Sequence, residues 1–218
     1  MNIRKRITTL AATTTLAGLA TLSLTAPAHA TAQHQTIAAS NGWHGVYYSG
    51  QVQQRDNWCG PAAGATVLTN WRISGVPQSR LASNMKTNKW KFTDPWSLSG
   101  TLNGYIKAHL HWKNGPYRVY NNSPVSDMGN QKLWDLAVRD IKKGRALIIL
   151  VQSRKIPWGG GGLGEGHYLV IVGYNTNYNG KAAYSVWDPA AGAVHSLAKN
   201  DFNKMAWGVP AYGRFVIA

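Results

Sequence analysis

The chain has 218 residues with 44% hydrophobic side chains, and its 23 basic against 8 acidic residues give a net charge of +15. Its length suits one domain with a hydrophobic core, and its only cysteine excludes a disulfide within the chain. The positive charge favours anionic partners such as cell-wall polymers, whereas no block of Lys and Arg resembles a nucleic-acid-binding arm. Nucleic acid is therefore not an expected partner.

The first thirty residues have the features of a secretory signal peptide. Residues 4–6 are Arg-Lys-Arg, residues 10–24 form an apolar, threonine-rich stretch, and residues 28–30 form an Ala-His-Ala cleavage site. Cleavage after Ala30 removes three of the 23 basic residues and leaves 20 against 8 acidic ones, a net charge of +12. No later stretch approaches the roughly 20 apolar residues that span a bilayer, so we expect a secreted single domain, residues 31–218, without a membrane anchor.

The segment QRDNWCGPAAGATVLTNW, residues 54–71, predicts a helix that carries the only cysteine. Asp56 or Asn57 can cap this helix, which places Cys59 at or next to its amino end. Apolar side chains then recur at four-residue spacing at Ala63, Val67 and Trp71.

Cys59 has three interpretations, because exported domains normally use cysteines in disulfide pairs. It is an inert buried thiol, a disulfide link to a partner, or a reactive nucleophile. A thiol attacks a carbonyl carbon as the thiolate, and the amino end of a helix stabilises that form. The predicted position of Cys59 therefore suits a nucleophile.

Helical patterns precede strand patterns along the rest of the chain. One or two short helices are predicted between about residues 79 and 110, with a break at Asp94-Pro95, and another helix over 131–143. Continuous apolar runs then predict strands over 146–151, 168–172, 183–187 and 213–217. This order favours an α+β fold with a largely antiparallel sheet.

A glycine-rich segment, PWGGGGLGEG at residues 157–166, lies directly before His167. It is either a simple flexible connection or a lid or cleft wall that a substrate backbone can approach closely. On the second interpretation Gly160, Gly161 and Gly166 are candidate substrate-binding residues.

His167 is the best candidate for a catalytic base, because it opens a buried strand and its ring can face a cleft. Three other histidines of the mature chain, His34, His44 and His195, lie in irregular or turn-like segments. His109 and His111 lack the acidic or cysteine neighbours that would complete a metal site. No nucleotide-binding glycine motif is present, so neither a cofactor nor a metal is expected.

Asp188, in YSVWDPA, closes the third predicted strand and can lie beside His167 if the two strands form an antiparallel hairpin. A third group of this kind would hold the imidazole in its useful tautomer. The alternative is that Asp188 only forms the turn before Pro189.

Three stretches, QVQQRDNWCGPAAGATVL, GHYLVIVGYN and YSVWDPA, resemble the papain-like cysteine peptidases of the bacteriocin-processing type in a secreted stand-alone form. The resemblance runs in order over roughly residues 50–190. It implies a papain-like fold in which the central helix carries the cysteine and packs on a mostly antiparallel sheet. It also implies that Cys59 is the nucleophile, His167 the base and Asp188 the group that orients the base.

The same resemblance implies an upstream glutamine whose amide binds the oxyanion of the tetrahedral intermediate. Gln53 has the favoured spacing, with Gln54 and Gln51 as alternatives, and Gln54 and Trp58 are also candidate substrate-binding residues. Trp58 stands where bacteriocin-exporter peptidases usually carry an acidic residue, so a double-glycine leader is not the expected substrate.

Together these features predict a secreted, monomeric cysteine peptidase that hydrolyses peptide or isopeptide bonds through a thioester acyl-enzyme. Two alternatives stay open. One is an acyl transferase or transpeptidase with the same three catalytic groups, and the other is a cell-wall or glycan-binding module on a papain-like fold. An anionic cell-wall polymer is an expected partner in each case.

Overall fold

A computed structural model describes residues 33–36, 41–87, 93–122, 130–159, 166–206 and 214–218. All of these belong to one structural unit, Thr31–Ala218. The predicted signal peptide lies outside the described residues.

Helices dominate the first part of the described chain and strands the second. The described helices are α1 (Cys59–Asn70), α2 (Gln78–Asn84), α3 (Pro95–Leu110), α4 (Asn130–Lys142) and α5 (Lys199–Ala206). The described strands are β1 (Gln33–Thr36), β2 (Trp43–Gly45), β3 (Tyr47–Gly50), β4 (Val119–Asn122), β5 (Leu147–Gln152), β6 (Gly166–Tyr178), β7 (Lys181–Asp188), β8 (Ala193–Ala198) and β9 (Arg214–Ile217). A 3-10 turn, Ser153–Lys155, follows β5.

Seven of the described strands form one sheet in the order β4-β9-β5-β6-β7-β8, with β2 added on β6. Every strand pair in it is antiparallel, as is the separate pair of β1 with β3. The predicted α+β class with an antiparallel sheet is confirmed. An edge strand expected around residues 45–48 overlaps β3, whereas the sequence patterns missed β1, β2, β4, β8 and α5, which are short or only half-buried.

Helix α1 lies at the centre of the fold, and every residue from Cys59 to Thr69 is buried. Small side chains at residues 60 and 62–65 let it approach β3, β6, α2 and α3 closely. The Thr69 hydroxyl accepts a hydrogen bond from the Ser49 N–H at 2.7 Å, which ties α1 to β3. The helix that begins at the cysteine is therefore fixed on all sides by the core.

The two best-defined helix starts differ in their caps. Asp94 caps α3 by accepting from the Ser97 N–H at 2.8 Å, so the Asp-Pro pair begins that helix. Helix α1 begins at Cys59 with Trp58 at the cap position and no side-chain capping bond, so the predicted cap at Asp56 or Asn57 is wrong. The helix starts later than either residue because the segment before it turns through a Trp58 N–H bond to the Arg55 carbonyl.

None of the described helices combines the length and apolar composition needed to cross a bilayer.

Candidate active site

Cys59 is the first residue of α1, and only 5% of it is exposed. The first backbone N–H groups of a helix have no partner within the helix, and together they carry partial positive charge. No acidic side chain lies in the first turn of α1 to offset that charge. The thiol therefore lies where the fold favours a thiolate.

His167 is the second residue of β6 and pairs with Val151 of β5. Its ring is 1% exposed, and Nε2 lies 2.7 Å from Oδ1 of Asp188. The other ring nitrogen, Nδ1, is buried and has no hydrogen-bond partner of standard geometry among the described residues. Nδ1 is thus the nitrogen left for the thiol, and such contacts often tighten only when substrate binds.

Asp188 is the last residue of β7, which forms an antiparallel hairpin with β6. Its buried carboxylate accepts four hydrogen bonds, from His167 Nε2, Trp158 Nε1 (2.7 Å), the Ala190 N–H (2.8 Å) and the Ala191 N–H (3.3 Å). The two sequence interpretations of Asp188 therefore do not exclude each other. The same carboxylate bonds the turn that follows β7 and the imidazole of His167.

The electrostatics of the three groups are coupled. Burial raises the pKa of Cys59, but the hydrogen bond and charge of His167, with backbone hydrogen bonds from Tyr168 and Gly60, outweigh burial and lower it. Burial lowers the pKa of His167, yet hydrogen bonds to Asp188 and Cys59 raise it to about 9. The thiol loses a proton more readily than usual and the imidazole holds one more firmly, which together favour a thiolate–imidazolium pair.

The carboxylate of Asp188 is the anionic end of this arrangement. Its burial raises the pKa, but hydrogen bonds from His167, Trp158 and Ala190 and the charge of His167 lower it to about 2. Between about pH 2 and pH 9, Asp188 is therefore ionised while His167 carries a proton, and the carboxylate can hold the imidazolium in place.

Of the three candidate glutamines, Gln53 has hydrogen bonds to residues next to both halves of the site. Its N–H donates to the Pro189 carbonyl at 2.9 Å, directly after Asp188, and its Nε2 donates to the Asp56 carbonyl at 3.1 Å. Its Oε1 is buried without a hydrogen-bond partner in the described residues. The side chain is half-buried and its amide keeps one N–H free of the Asp56 bond.

The other two glutamines are held elsewhere. Gln54 is exposed and bonds through its N–H to Gln78 Oε1 at 3.1 Å. The Nε2 of Gln51 donates to the Ser49 carbonyl at 3.3 Å, back along β3. Gln53 is thus the candidate whose side-chain amide bonds the segment directly before Cys59, whereas the Gln51 amide bonds Ser49.

The remaining candidate substrate-binding residues fall into two groups. Trp58 is 8% exposed, and the Arg55 guanidinium lies 4.5 Å above its ring. Gly166 opens β6 beside His167 and pairs with Gln152. Gly160 and Gly161 lie outside the described residues.

Sequence reasoning missed two aromatic residues that adjoin the site. Trp158 donates to Asp188, and its ring stacks on that of His195 with centroids 3.8 Å apart and planes 2° apart. Trp158 was visible only as part of the glycine-rich segment, and His195 only as a histidine after a turn. No periodic pattern links residues 158, 188 and 195 in the sequence.

Sequence reasoning also missed Thr93. This buried residue occupies the space that a Cβ on Gly60 would need, and its carbonyl accepts from the Tyr168 hydroxyl at 2.7 Å. Residue 60 is therefore a glycine because α1 and the segment before α3 meet directly behind Cys59.

The described part of the chain contains no group of three or more His, Cys, Asp or Glu side chains that could hold a metal ion. His109 lies in the last turn of α3, and His111 caps the end of this helix in the left-handed conformation. Neither belongs to the arrangement around Cys59.

A buried thiol at a helix start beside an imidazole–carboxylate pair is the arrangement of papain-like cysteine peptidases. Residues 45–212 match the Peptidase_C39 like family. Because this match spans most of the chain, the chain belongs to that family and is a cysteine peptidase. The predicted family and papain-like fold class are confirmed.

Among solved structures, the chain is similar to the peptidase domain of Streptococcus ComA, described as a bi-functional ABC transporter involved in a quorum sensing pathway. The two share 21% identity with a TM-score of 0.45, over 77% of this chain and 96% of that one. The search of curated proteins gave no match.

Proposed function

We propose that this chain is a secreted cysteine peptidase that hydrolyses peptide or isopeptide bonds through a thioester acyl-enzyme. The observation that carries the proposal is the 2.7 Å contact between His167 and Asp188, with the Cys59 thiol close enough to His167 for each to shift the pKa of the other. A structural histidine does not need both a buried carboxylate on one nitrogen and a thiol on the other side.

In the first half of the reaction, the Cys59 thiolate attacks the carbonyl carbon of the scissile amide. The carbonyl oxygen becomes an oxyanion, which the Gln53 amide and the backbone N–H of Cys59 stabilise. The His167 imidazolium gives its proton to the departing amine, the C–N bond breaks, and a thioester on Cys59 remains.

In the second half, His167 takes a proton from water as that water attacks the thioester carbonyl. The C–S bond then breaks, the acid product leaves, and the thiolate–imidazolium pair is restored. Asp188 remains an anion throughout and holds the imidazole in the required orientation. An amine in place of water would make the same acyl-enzyme a transpeptidase.

The substrate is a peptide or isopeptide that crosses the amino end of α1. We assign Trp58 and Arg55, stacked before Cys59, to one side of this path, and Gly166, which opens β6 beside His167, to the other side. The exposed Gln54 lies at the start of the first side. An indole and a guanidinium in the place of a carboxylate support a substrate other than a double-glycine leader.

The direct test uses residues 31–218 and a library of substrates. Some substrates contain ordinary peptide bonds, and others contain isopeptide bonds to a lysine side chain. Mass spectrometry should find cleaved products with the wild-type protein and none with Cys59→Ala. After a rapid acid quench, an acyl-enzyme should add the acyl mass to the wild-type protein only. Products joined to an added amine, without hydrolysis, would support the transferase alternative, and equal products with Cys59→Ala would contradict a thiol mechanism.

Secretion and retention at an anionic surface are the remaining parts of the proposal. Recovery of the expressed full chain from the medium with Thr31 as its first residue would support export, and an unprocessed intracellular chain would contradict it. The basic side chains at residues 55, 72, 80 and 86 are exposed, which supports binding to an anionic cell-wall polymer. Cys59→Ala should bind isolated cell walls and be released by about 1 M salt, because salt screens exposed charges.

A further inference from the structure

We propose that Trp158 is a positioning residue of this peptidase, whose indole N–H fixes the Asp188 carboxylate so that Oδ1 faces His167. The inference rests on the proposed roles of Asp188 and His167 and assigns a role to the base of the glycine-rich segment. Trp158 itself does not touch the reacting atoms.

The two oxygens of Asp188 have different neighbours. Oδ1 accepts from His167 and from the turn residues Ala190 and Ala191, whereas Oδ2 accepts from Trp158 at 2.7 Å. A carboxylate turns readily about its last torsion angle unless both oxygens are bonded. The bond from Trp158 therefore stops the rotation that would move Oδ1 away from the imidazole.

The indole is itself held at its face. The ring of His195, on β8, stacks on Trp158 almost in parallel at 3.8 Å. His195 pairs with Val186 in β7, the strand that ends at Asp188. Asp188 and His195 thus belong to neighbouring strands, so the sheet fixes both the acceptor of the indole N–H and the ring that packs on the indole face.

Asp188 is fully buried while Trp158 is half-buried, so the indole lies on the solvent side of this carboxylate. Loss of the N–H would leave a buried carboxylate oxygen without a donor, which is costly. Rotation, hydration or protonation of Asp188 relieves that cost, and each weakens the hold on protonated His167.

The titratable groups that face this network are few. Cys59 and Asp188 face His167, and Asp188 is the charged neighbour of His195. Burial lowers the pKa of His195, so the stack on Trp158 involves a neutral imidazole at neutral pH. A change in the titration of His167 after substitution of Trp158 can therefore be assigned to Asp188.

The test is Trp158→Phe, which keeps an aromatic face for His195 and removes the N–H donor together with one ring of the indole. Trp112→Phe is the matched control, because Trp112 is exposed and packs on Trp71. NMR titration of the His167 ring in the Cys59→Ala background should show a pKa about one unit lower with Trp158→Phe and unchanged with Trp112→Phe. With Cys59 present, kcat should fall about tenfold while KM is retained.

An unchanged or higher pKa of His167 in folded Trp158→Phe would overturn the proposal. If Trp158→Phe does not fold, His195→Ala loosens the indole and should move the pKa in the same direction by less, and no movement would overturn the proposal. The NMR arm needs no turnover. If the proposed function is wrong, the wild-type protein will give no products in the peptide assay. The titration of His167 tests the role of Trp158 separately from that result.

Discussion

The two halves of the site are organised differently. On the base side, named for the proposed role of His167, this histidine and Asp188 lie at the open end of a β hairpin, and the Asp188 carboxylate has four hydrogen-bond donors. On the nucleophile side, Cys59 begins a helix without a side-chain cap, and the Gln53 Oε1 and His167 Nδ1 lack partners of standard geometry within the described residues.

This difference indicates which half the fold completes by itself. The sheet fixes His167, the proposed base, and the Asp188 carboxylate in advance, as electrostatic preorganisation requires. The nucleophile side keeps one N–H of the Gln53 amide free of its bond to Asp56, and the proposed mechanism assigns this donor to the oxyanion. Substitutions on the base side should therefore change the thiolate and its pH dependence, and those on the nucleophile side should change turnover only.

Among substitutions on the base side, Asp188→Asn should reduce activity the most. An amide offers one acceptor, so its NH₂ must face either the Trp158 N–H or the His167 nitrogen, and the second choice gives the wrong imidazole tautomer. We expect kcat/KM to fall about 10³-fold.

The double variant Asp188→Asn with Trp158→Phe sharpens this prediction. Removing the indole N–H lets the amide NH₂ face residue 158 while the oxygen accepts from His167. The double variant should therefore be more active than Asp188→Asn alone in the same peptide assay. Additive losses would show that the two side chains do not share one hydrogen-bond network.

On the nucleophile side, Gln53→Ala should lower kcat by about 10²-fold, the usual effect of removing one oxyanion donor. The rate of Cys59 alkylation should stay unchanged, since alkylation forms no oxyanion. Gln54→Ala is the matched control, because the side chain of Gln54 is exposed. As a proposed substrate contact it should affect KM, while kcat stays within about twofold. An equal loss with both variants would contradict the assignment to Gln53.

A smaller effect concerns stability against pH. Asp188 has a pKa of about 2 in the folded chain against an ordinary 3.8, so its ionised form stabilises the fold. This contribution, on the order of 2 kcal/mol, is complete above pH 4 and is lost as the pH falls through 2. In urea unfolding, the difference between wild-type and Asp188→Asn should narrow from pH 6 to pH 2.5, and a constant difference would contradict it.

Much of this arrangement could be predicted from the sequence because its signals are local. The apolar spacing after Cys59 predicts a buried helix, and the runs that end at Asp188 and begin at His167 predict strands. Hairpin geometry then accounts for the contact between residues 167 and 188. For the oxyanion-binding glutamine, the sequence favours Gln53 by spacing and leaves two neighbours open, and the bond from its side-chain amide to the Asp56 carbonyl distinguishes it in the structure.

The rest depends on contacts between distant segments. Trp158 meets Asp188 and His195 through sheet pairing that no local pattern encodes. Thr93 meets Gly60 through helix packing, for the same reason. The sequence predicts a start of α1 near Asp56 or Asn57 because Asp and Asn are favoured capping residues. The helix begins only at Cys59, because the chain before it forms a turn.

The central claim is that Cys59 and His167 form a thiolate–imidazolium pair, and alkylation by iodoacetamide against pH tests it most directly. Cys59 is the only cysteine, so the rate reports on that thiol alone. Wild-type protein should react well below pH 8.5, the ordinary thiol pKa being about 8.5, and His167→Ala should lose that reactivity. Reaction only above pH 8, or equal profiles for both proteins, would contradict the account.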